Sequence, residues 1–531
     1  MEFTDNLKKV VILGIGGKAS FYVARFLNLA GIELVGYDLQ KSERTEDLEK
    51  LGVKINYRNP EKGESFDSDM FLYSNDLPQA LQKQVKDDNK DVKAVEIGAF
   101  YREIIESFKN GDMSKEEIEA FRKSNIGPLF DVDQNKMRYI AVTGTDGKTT
   151  TCTMIYHLLK EAGFKPALIT TVAAYIADEQ IDTGLHTTTP SSQDMYDLIK
   201  KTEEKNCTHI IIETTSHGLQ QARLAGLKMD SVGYTNITPE HLDYHGNWES
   251  YLDAKALLVK EYLKEGGNAV LNLDDESFRH LSQFVSKPIT YSLKKEADLQ
   301  ASDIEEQDSG VSFNLLYKDK EYKGKLPILG KCNVSNFLCA LAICQKEGLE
   351  LEEMLDLIKS FKTISGRMEV FQRKPFYVII DHAHTSNSIK MALESTRSLL
   401  HRGGKVIHVF GCAGHRDFYK REEMGKVSNE LSDISILTAE DPRFEDLKSI
   451  NDQIEEGWRK GSNRNGELYR FDYTDRDVEV RRDAIVKAFE IAKEGDAILL
   501  TGKAHEQSLC FGQIEYPWSE AEEVKALLSR E

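Results

Sequence analysis

The segment Gly144-Thr145-Asp146-Gly147-Lys148-Thr149-Thr150 carries more chemistry than any other in this sequence. It follows an apolar run at 139–143 and precedes a helix-like stretch at 151–162. Backbone N–H groups at such a turn converge on phosphate oxygens, and the helix dipole adds to the attraction. Lys148 would reach β- and γ-phosphates, and Thr149 would give its hydroxyl oxygen to Mg²⁺. The spacing is tighter than in the common phosphate loop, because only Thr145 and Asp146 separate Gly144 from the Gly147-Lys148 pair.

Two further residues could serve a metal-assisted reaction, and a third is at odds with one by charge. Glu213 ends the run HIIIE, and a carboxylate at the C-terminal end of a parallel strand lies where ligands bind in α/β sheets. Oxygen donors of this kind suit Mg²⁺, which keeps several waters. His241, in the polar stretch after the next strand, is a possible metal ligand. Lys255 lies in a helix-like stretch at 251–263, and by itself reads as a solvated helix lysine, since an ammonium repels a cation.

These residues need strands and helices to hold them. The first segment has an apolar run at 10–14, a Gly-rich turn, a helix-like stretch at 21–30, and a strand at 33–37 ending at Asp38. That order implies a right-handed crossover and a parallel sheet. A further strand is expected at 69–74, while 102–136 is polar and either helical or linking. A second start follows at 139, with strands at 209–213 and 231–234, a hairpin insert at 295–325 and a helix at 330–348. A third unit has strands at 377–380, 406–410, 434–438 and 497–501. The expected fold is α/β in three domains. These are a Rossmann-like domain at 1–136, a central P-loop ATPase-like domain with a parallel sheet at 137–363, and a Rossmann-like domain at 364–531, with hinges near 137 and 364.

The 531 residues suffice for several cores. Lys plus Arg number 69 against 88 Asp plus Glu, a net charge of −19 that disfavours a nucleic-acid partner. No apolar run approaches the ~18 residues of a membrane span, and the N-terminus lacks a signal-peptide pattern. The seven cysteines form no Cys-x-x-Cys pair, which fits a reducing cytosol. A cytoplasmic monomer acting on small molecules is expected.

The ordered segments GTDGKTTT, ETTSHGLQQAR, TNITPEHLDYHGNWESYLDAKA, GKCNVSNFLCALA, SGRMEV, IDHAHT, FGCAGHRD, AEDPR and GKAHE resemble the Mur ligase family over residues 139–510. These are ATP-dependent amide-bond ligases of peptidoglycan precursor synthesis. Within the family the resemblance is nearest to the branch that adds a third residue to UDP-MurNAc-L-Ala-D-Glu. It implies that Gly144, Thr145, Asp146, Gly147, Lys148, Thr149 and Thr150, with Asn333, Arg367 and Asp381, hold ATP. Lys148, Glu213, His241 and Lys255 would be catalytic. Thr149, Glu213, His241 and Lys255 would serve two Mg²⁺ ions, with Lys255 carboxylated to N6-carboxylysine, which removes its charge problem. Thr188, Thr189, Thr215, Gln221 and Arg223 would hold the UDP-MurNAc-dipeptide. Arg416, Glu440, Asp441, Pro442, Arg443, Gly502 and Glu506 would take the incoming amino acid.

Some positions depart from the family pattern. Glu440-Asp441-Pro442-Arg443 stands for Asp-Asn-Pro-Arg. The retained Arg443 is a cationic fork suited to the second carboxylate of meso-diaminopimelate rather than to lysine. His382 stands for Tyr, Ala504 for Gly and Thr215 for Ser. The first segment resembles instead the first domain of the L-alanine-adding branch. There Gly14, Gly16 and Gly17, with Asp38 and with Ser74 at a strand end, would take the UDP diphosphate. The alternatives are a lysine-adding, alanine-adding or peptide-recycling relative, a folate polyglutamate ligase, or a non-catalytic module. A nicotinamide-dependent oxidoreductase would fit Gly14-x-Gly16-x-x-Ala19 with Asp38. It would leave everything after residue 139 unexplained.

Overall fold

Alternating buried strands and amphipathic helices build three large sheets, and a two-stranded hairpin makes a fourth among the described residues. The structure is a computed structural model describing residues 7–74, 77–181, 188–400, 403–415, 417–473 and 477–529. Its contacts divide into two units. One comprises Met1–Ala141, Lys165–Asp230 and Ala254–Gly267, the other Val142–Phe164, Ser231–Asp253 and Asn268–Glu531.

The first unit holds β1 (Lys9–Leu13), β2 (Glu33–Tyr37), β3 (Lys54–Asn56), β4 (Met70–Tyr73) and β5 (Lys93–Glu96) in the order β3-β2-β1-β4-β5, all parallel. Successive side chains of a strand face opposite sides. Val10 and Ile12 accordingly pack with Phe21, Phe26 and Leu27, while Val11 and Leu13 pack with Phe66 and Phe71. The stretch expected to be helical or linking takes the helical alternative, as Ile97–Asn110 and Lys115–Ser124. Their inner faces add Ile104, Ile105, Ala120 and Phe121 to the same core.

The largest sheet contains β6 (Arg138–Thr143), β7 (Pro166–Ile169), β8 (Ala174–Ile176), β9 (Glu179–Ile181), β10 (His209–Glu213), β11 (Met229–Tyr234), β12 (Leu263–Asn272), β13 (Ile289–Ser292), β14 (Leu299–Gln307), β15 (Gly310–Tyr317) and β16 (Lys320–Leu326). Their order is β16-β15-β14-β13-β12-β11-β6-β10-β7-β8-β9, and the division between units falls inside β6, β11 and β12. β10 is buried along its whole length, as a parallel strand covered on both faces must be. In the second unit β14, β15 and β16 form the expected antiparallel insert, with exposed and buried residues interleaved.

The third sheet lies in the second unit. β17 (Glu369–Gln372), β18 (Tyr377–Asp381), β19 (Val406–Phe410), β20 (Ile434–Leu437), β21 (Glu467–Arg470) and β22 (Ala497–Thr501) run β17-β18-β22-β19-β20-β21, parallel apart from β17. The chain winds outward from β18 to β21 and then returns to insert β22 beside β19. That return makes a crevice at the C-terminal strand ends. A short hairpin, β23 (Ser508–Phe511) and β24 (Ile514–Pro517), follows, and its alternation is too brief to read from sequence.

Candidate active site

The phosphate-loop candidate sits between β6 and the helix Lys148–Glu161. Gly147 caps that helix at φ 81°, and a Cβ there would lie 2.2 Å from Asn336 Oδ1. A side chain at that position is therefore excluded by conformation and by space. The loop's shape is held from the TNITPEH segment. Thr145 N donates to Asn236 O at 2.7 Å, Asp146 N donates to Asn236 Oδ1 at 3.0 Å, and Thr235 Oγ1 donates to Asp146 O at 2.6 Å. The Thr145 hydroxyl lies 3.1 Å from that of Tyr251. The amides of Thr145 and Asp146 thus brace the loop. Those of the first helical turn, where Lys148, Thr149 and Thr150 lie, are the ones an α-helix leaves without intrahelical acceptors. Lys148 Nζ donates to Thr145 O at 2.7 Å.

Arg367 and Asp381 adjoin this loop within the same unit. Arg367 Nη2 donates to Thr149 Oγ1 at 3.2 Å, and its buried Nε has no hydrogen-bond partner. Asp381 accepts the amides of Met368 and Ala383, both at 2.7 Å, while burial pushes its carboxyl up. Asn333 Nδ2 donates to Leu329 O, and Asn333 Oδ1 accepts from Asn336, so it supports the helix that abuts Gly147. The Asp146 carboxylate accepts from Asn387 at 2.8 Å and Thr385 at 3.4 Å, and burial raises it.

Glu213 belongs to the first unit. It is 1% exposed, against the alternative of a strand-end glutamate facing water. Its oxygens accept from Thr171 N and Thr171 Oγ1, each at 3.2 Å. Thr171 Oγ1 also donates to Thr188. Thr189 Oγ1 lies 3.1 Å from Thr215 Oγ1, and Arg223 donates to Thr189 O at 2.7 Å and to Gln221 Oε1. The sequence-expected sugar-peptide residues 188, 189, 215, 221 and 223 therefore form one hydrogen-bonded group. Gly14, Gly16, Gly17 and Ser74 lie at strand ends of the same unit. Gly14 N donates to Tyr37 O at 2.8 Å, and Gly16 N donates to Asp38 Oδ2 at 2.8 Å.

Lys255 is 2% exposed, which overturns the reading of a solvated helix lysine. Its helix, Trp248–Leu257, continues as a widened turn, Leu258–Tyr262, before Leu263 begins β12, so the helix-like stretch expected at 251–263 is present to within one residue. Burying an ammonium is costly unless the group is compensated or converted. His241, in the second unit, adopts the left-handed conformation at φ 54° and donates its backbone N–H to Asp417 Oδ2 at 3.0 Å. Glu240 beside it is buried. Burial opposes ionisation there, yet His241 and His384 hold the carboxyl well below its usual value. Among the described residues, no three His, Cys, Asp or Glu side chains are grouped as metal ligands. The hydroxyl of Thr149 and the buried carboxylate of Glu213 are hard oxygen donors, and their chemistry fits Mg²⁺.

The third group lies at the C-terminal ends of β20 and β22. Burial pushes Glu440 up to about 7, and its Oε2 lies 2.6 Å from where a Cβ on Gly502 would be. Asp441 Oδ1 accepts from Lys503 Nζ at 2.7 Å and from Cys510 N at 2.9 Å. Lys503, fully buried, also pairs with Glu506. Pro442 packs its carbonyl against Gly414. Arg443 is pinned to the β23–β24 hairpin through its backbone, and among the described residues its buried Nε has no hydrogen-bond partner. Arg416 lies outside the described residues. Of the departures, Ala504 stands at φ 41°, where glycine is favoured, and His382 Nδ1 donates to Gly502 O at 2.7 Å.

Sequence reasoning assigned no role to Asn236, Tyr251, Thr171 or Lys503. Asn236 was inside a quoted motif, but a bracing amide has no signature of its own. Lys503 sits in the GKAHE segment, and its pairing across sixty residues with Asp441 is a tertiary fact.

Comparison with known proteins places the chain by family and fold. Residues 142–344 match the Mur ligase middle domain, and residues 366–504 match the Mur ligase, glutamate ligase domain. A UDP-N-acetylmuramoyl-L-alanyl-D-glutamate–2,6-diaminopimelate ligase from Clostridium tetani is 33% identical over 86% of this chain and 93% of its own length. A UDP-N-acetylmuramyl-tripeptide synthetase from Roseiflexus is 34% identical over 74% of this chain and 79% of its own length. The solved UDP-N-acetylmuramate-alanine ligase of Thermotoga maritima shares the fold over 98% of both chains, at 19% identity and a TM-score of 0.51.

Proposed function

Because this chain belongs to the Mur ligase family, ATP-dependent ligases of peptidoglycan synthesis, we propose that it adds the third residue, meso-diaminopimelate, to UDP-MurNAc-L-Ala-D-Glu. The reaction proceeds in the cytoplasm on a monomer organised as domains 1–136, 137–363 and 364–531. The D-Glu carboxylate attacks the γ-phosphorus of ATP, giving an acyl phosphate and ADP. The amine of the third residue then attacks the acyl carbon, and phosphate leaves as the amide forms.

Repulsion between a carboxylate and a triphosphate is the first obstacle. Lys148 and the first-turn amides of its helix supply positive charge and donors at the phosphates. Lys148 exchanges its bond to Thr145 O for phosphate oxygens. Arg367, with an unused Nε beside Thr149, adds a second cation, and Asn333 and Asp381 order the nucleotide side. Thr149 and Glu213 would hold one Mg²⁺, and His241 with carboxylated Lys255 a second. Bound magnesium supplies further charge screening and polarises the γ-phosphoryl group. Gly14, Gly16, Gly17, Asp38 and Ser74 hold the UDP end, and Thr188, Thr189, Thr215, Gln221 and Arg223 hold the sugar-peptide. Bringing three substrates together from three domains accounts for much of the rate, so closure about hinges near 137 and 364 is expected.

One observation carries the choice of third residue. Arg443 is fixed by its backbone to a hairpin, and its guanidinium keeps a buried Nε that has no hydrogen-bond partner among the described residues. Diaminopimelate has a second carboxylate for that fork, and lysine does not. The acidic side chains of Glu440, Asp441 and Glu506 suit its ammonium groups, together with Arg416, Pro442 and Gly502. The test is purified protein with ATP, Mg²⁺ and UDP-MurNAc-L-Ala-D-Glu, given meso-diaminopimelate, L-lysine or free tripeptide in separate reactions. Product mass and released phosphate should identify the diaminopimelate adduct. A product formed with lysine alone, or with free tripeptide alone, contradicts the assignment.

A further inference from the structure

Arg481 is among the largest fully buried side chains of the protein, and its partner Glu520 is equally buried. Arg481 belongs to the helix Glu479–Ile491, the crossover that leads from β21 to β22. Its Nε and Nη2 donate to the Glu520 carboxylate at 2.8 and 2.5 Å. Two further donors go to main-chain carbonyls: Nη1 to Ala439 O and Nη2 to Thr501 O, both at 2.9 Å. Ala439 directly precedes Glu440, and Thr501 directly precedes Gly502. The strands involved, β20 and β22, are not neighbours, because β19 lies between them. One guanidinium therefore ties together two loops that no sheet hydrogen bond connects.

A buried ion pair is weak evidence for stability, since apolar residues of like volume often serve a core as well. Here the cation does something an apolar residue cannot, by bridging two carbonyls at a fixed separation. The loops beyond those carbonyls meet closely. Glu440 Oε2 touches Gly502, and Asp441 bonds Lys503. Glu520 is itself fixed by Trp518 Nε1 at 3.0 Å, which reaches back to the last helix, Glu520–Leu528.

We infer that Arg481, clamped by Glu520, is a positioning residue for the incoming amino acid, setting the distance between the Glu440–Arg443 and Gly502–Glu506 loops. This rests on the reading of those loops as the amino-acid site. The full-length enzyme decides it, with each substrate varied in turn and with acyl phosphate formed without amino acid trapped by borohydride. In Arg481→Lys the charge stays and the two-carbonyl bridge is lost. The amino-acid KM should rise about tenfold to a hundredfold, the scale of a misplaced reactant. The KM for ATP and the trapped acyl phosphate should stay within about twofold of wild type. Glu520→Gln, which keeps an acceptor and the side-chain volume, should show the same split at smaller size. Arg482→Ala breaks the neighbouring pair with Glu523, which joins the same two helices without reaching the strand ends, and should leave every KM unchanged.

A uniform fall in all parameters, or an unchanged amino-acid KM in Arg481→Lys, overturns the inference. If Arg481→Lys does not fold, Glu520→Gln decides by the same criterion. A wild-type enzyme that traps acyl phosphate yet accepts no amino acid overturns the underlying reading, and this inference with it.

Discussion

Two Gly-rich turns in this protein have the same local architecture and opposite chemistry. Each joins a buried parallel strand to a helix, β1 to Lys18–Leu29 and β6 to Lys148–Glu161. At the first turn Gly16 N is taken by the Asp38 carboxylate, Gly16 O accepts from Arg44 Nε, and the Lys18 ammonium pairs with Asp194 at 2.6 Å. At the second, Lys148 and Thr149 open the helix and Arg367 adds a guanidinium. A helix N-terminus attracts anions in both places. The neighbouring side chains decide how much negative charge each tolerates. A carboxylate bonded to the turn's own amide suits sugar hydroxyls and a diphosphate at a distance. A turn whose carboxylate, Asp146, is taken up by Asn387 and Thr385 leaves its cations to a triphosphate.

The largest test of this contrast replaces the lysine at each turn. Lys148→Ala should lower ATP-dependent phosphate release by about a thousandfold or more, whereas Lys18→Ala should leave the ATP KM within about twofold. Similar losses in both would erase the distinction. Lys255 sharpens it on the triphosphate side. Lys255→Ala should cost about tenfold to a hundredfold in apparent Mg²⁺ affinity, with partial recovery in Lys255→Glu, which restores a carboxylate. Equal failure of Ala and Glu, measured by Mg²⁺ titration of turnover, would argue against carboxylation. Asp38→Asn should raise the KM for the UDP-linked substrate about threefold to tenfold and leave that for ATP alone.

The smallest effect concerns stability. Tyr37 O holds the amides of Gly14 and Ile15, and Tyr37 hydroxyl donates to Glu64 at 2.6 Å. The Arg58 hydrogen bond, aided by that of Tyr37 and opposed by burial, lowers Glu64 from 4.5 to about 2. The folded value lies below the unfolded one, so this stability is present above the unfolded value and lost as pH falls through about 2. Glu64→Gln should therefore cost about 1–3 kcal/mol in denaturant titration at pH 7 and little at pH 2, with the ATP KM unchanged.

The sequence made the second turn more legible than the first. Lys-Thr after a Gly at a helix start is specific, and the structure puts a helix start at Lys148. Parallel strands such as His209–Glu213 and Val406–Phe410 were readable because burial on both faces makes continuous apolar runs. The segment 102–136 left helix and linker open, because its two helices expose more residues than they bury. Lys255 misled, because its burial has no local signature. The bridge from Arg481 to Ala439 and Thr501 was invisible because it joins distant parts of the chain.

The central claim is that ATP's triphosphate belongs to the second turn. A crystal structure with a nonhydrolysable ATP analogue and Mg²⁺ tests it most directly. The account expects the γ-phosphate against Lys148 Nζ and the first-turn amides of the helix Lys148–Glu161, with Thr149 and Glu213 on the metal. A triphosphate seated at Gly14, Gly16 and Gly17, or residues 144–150 left empty with ligand bound elsewhere, would contradict it.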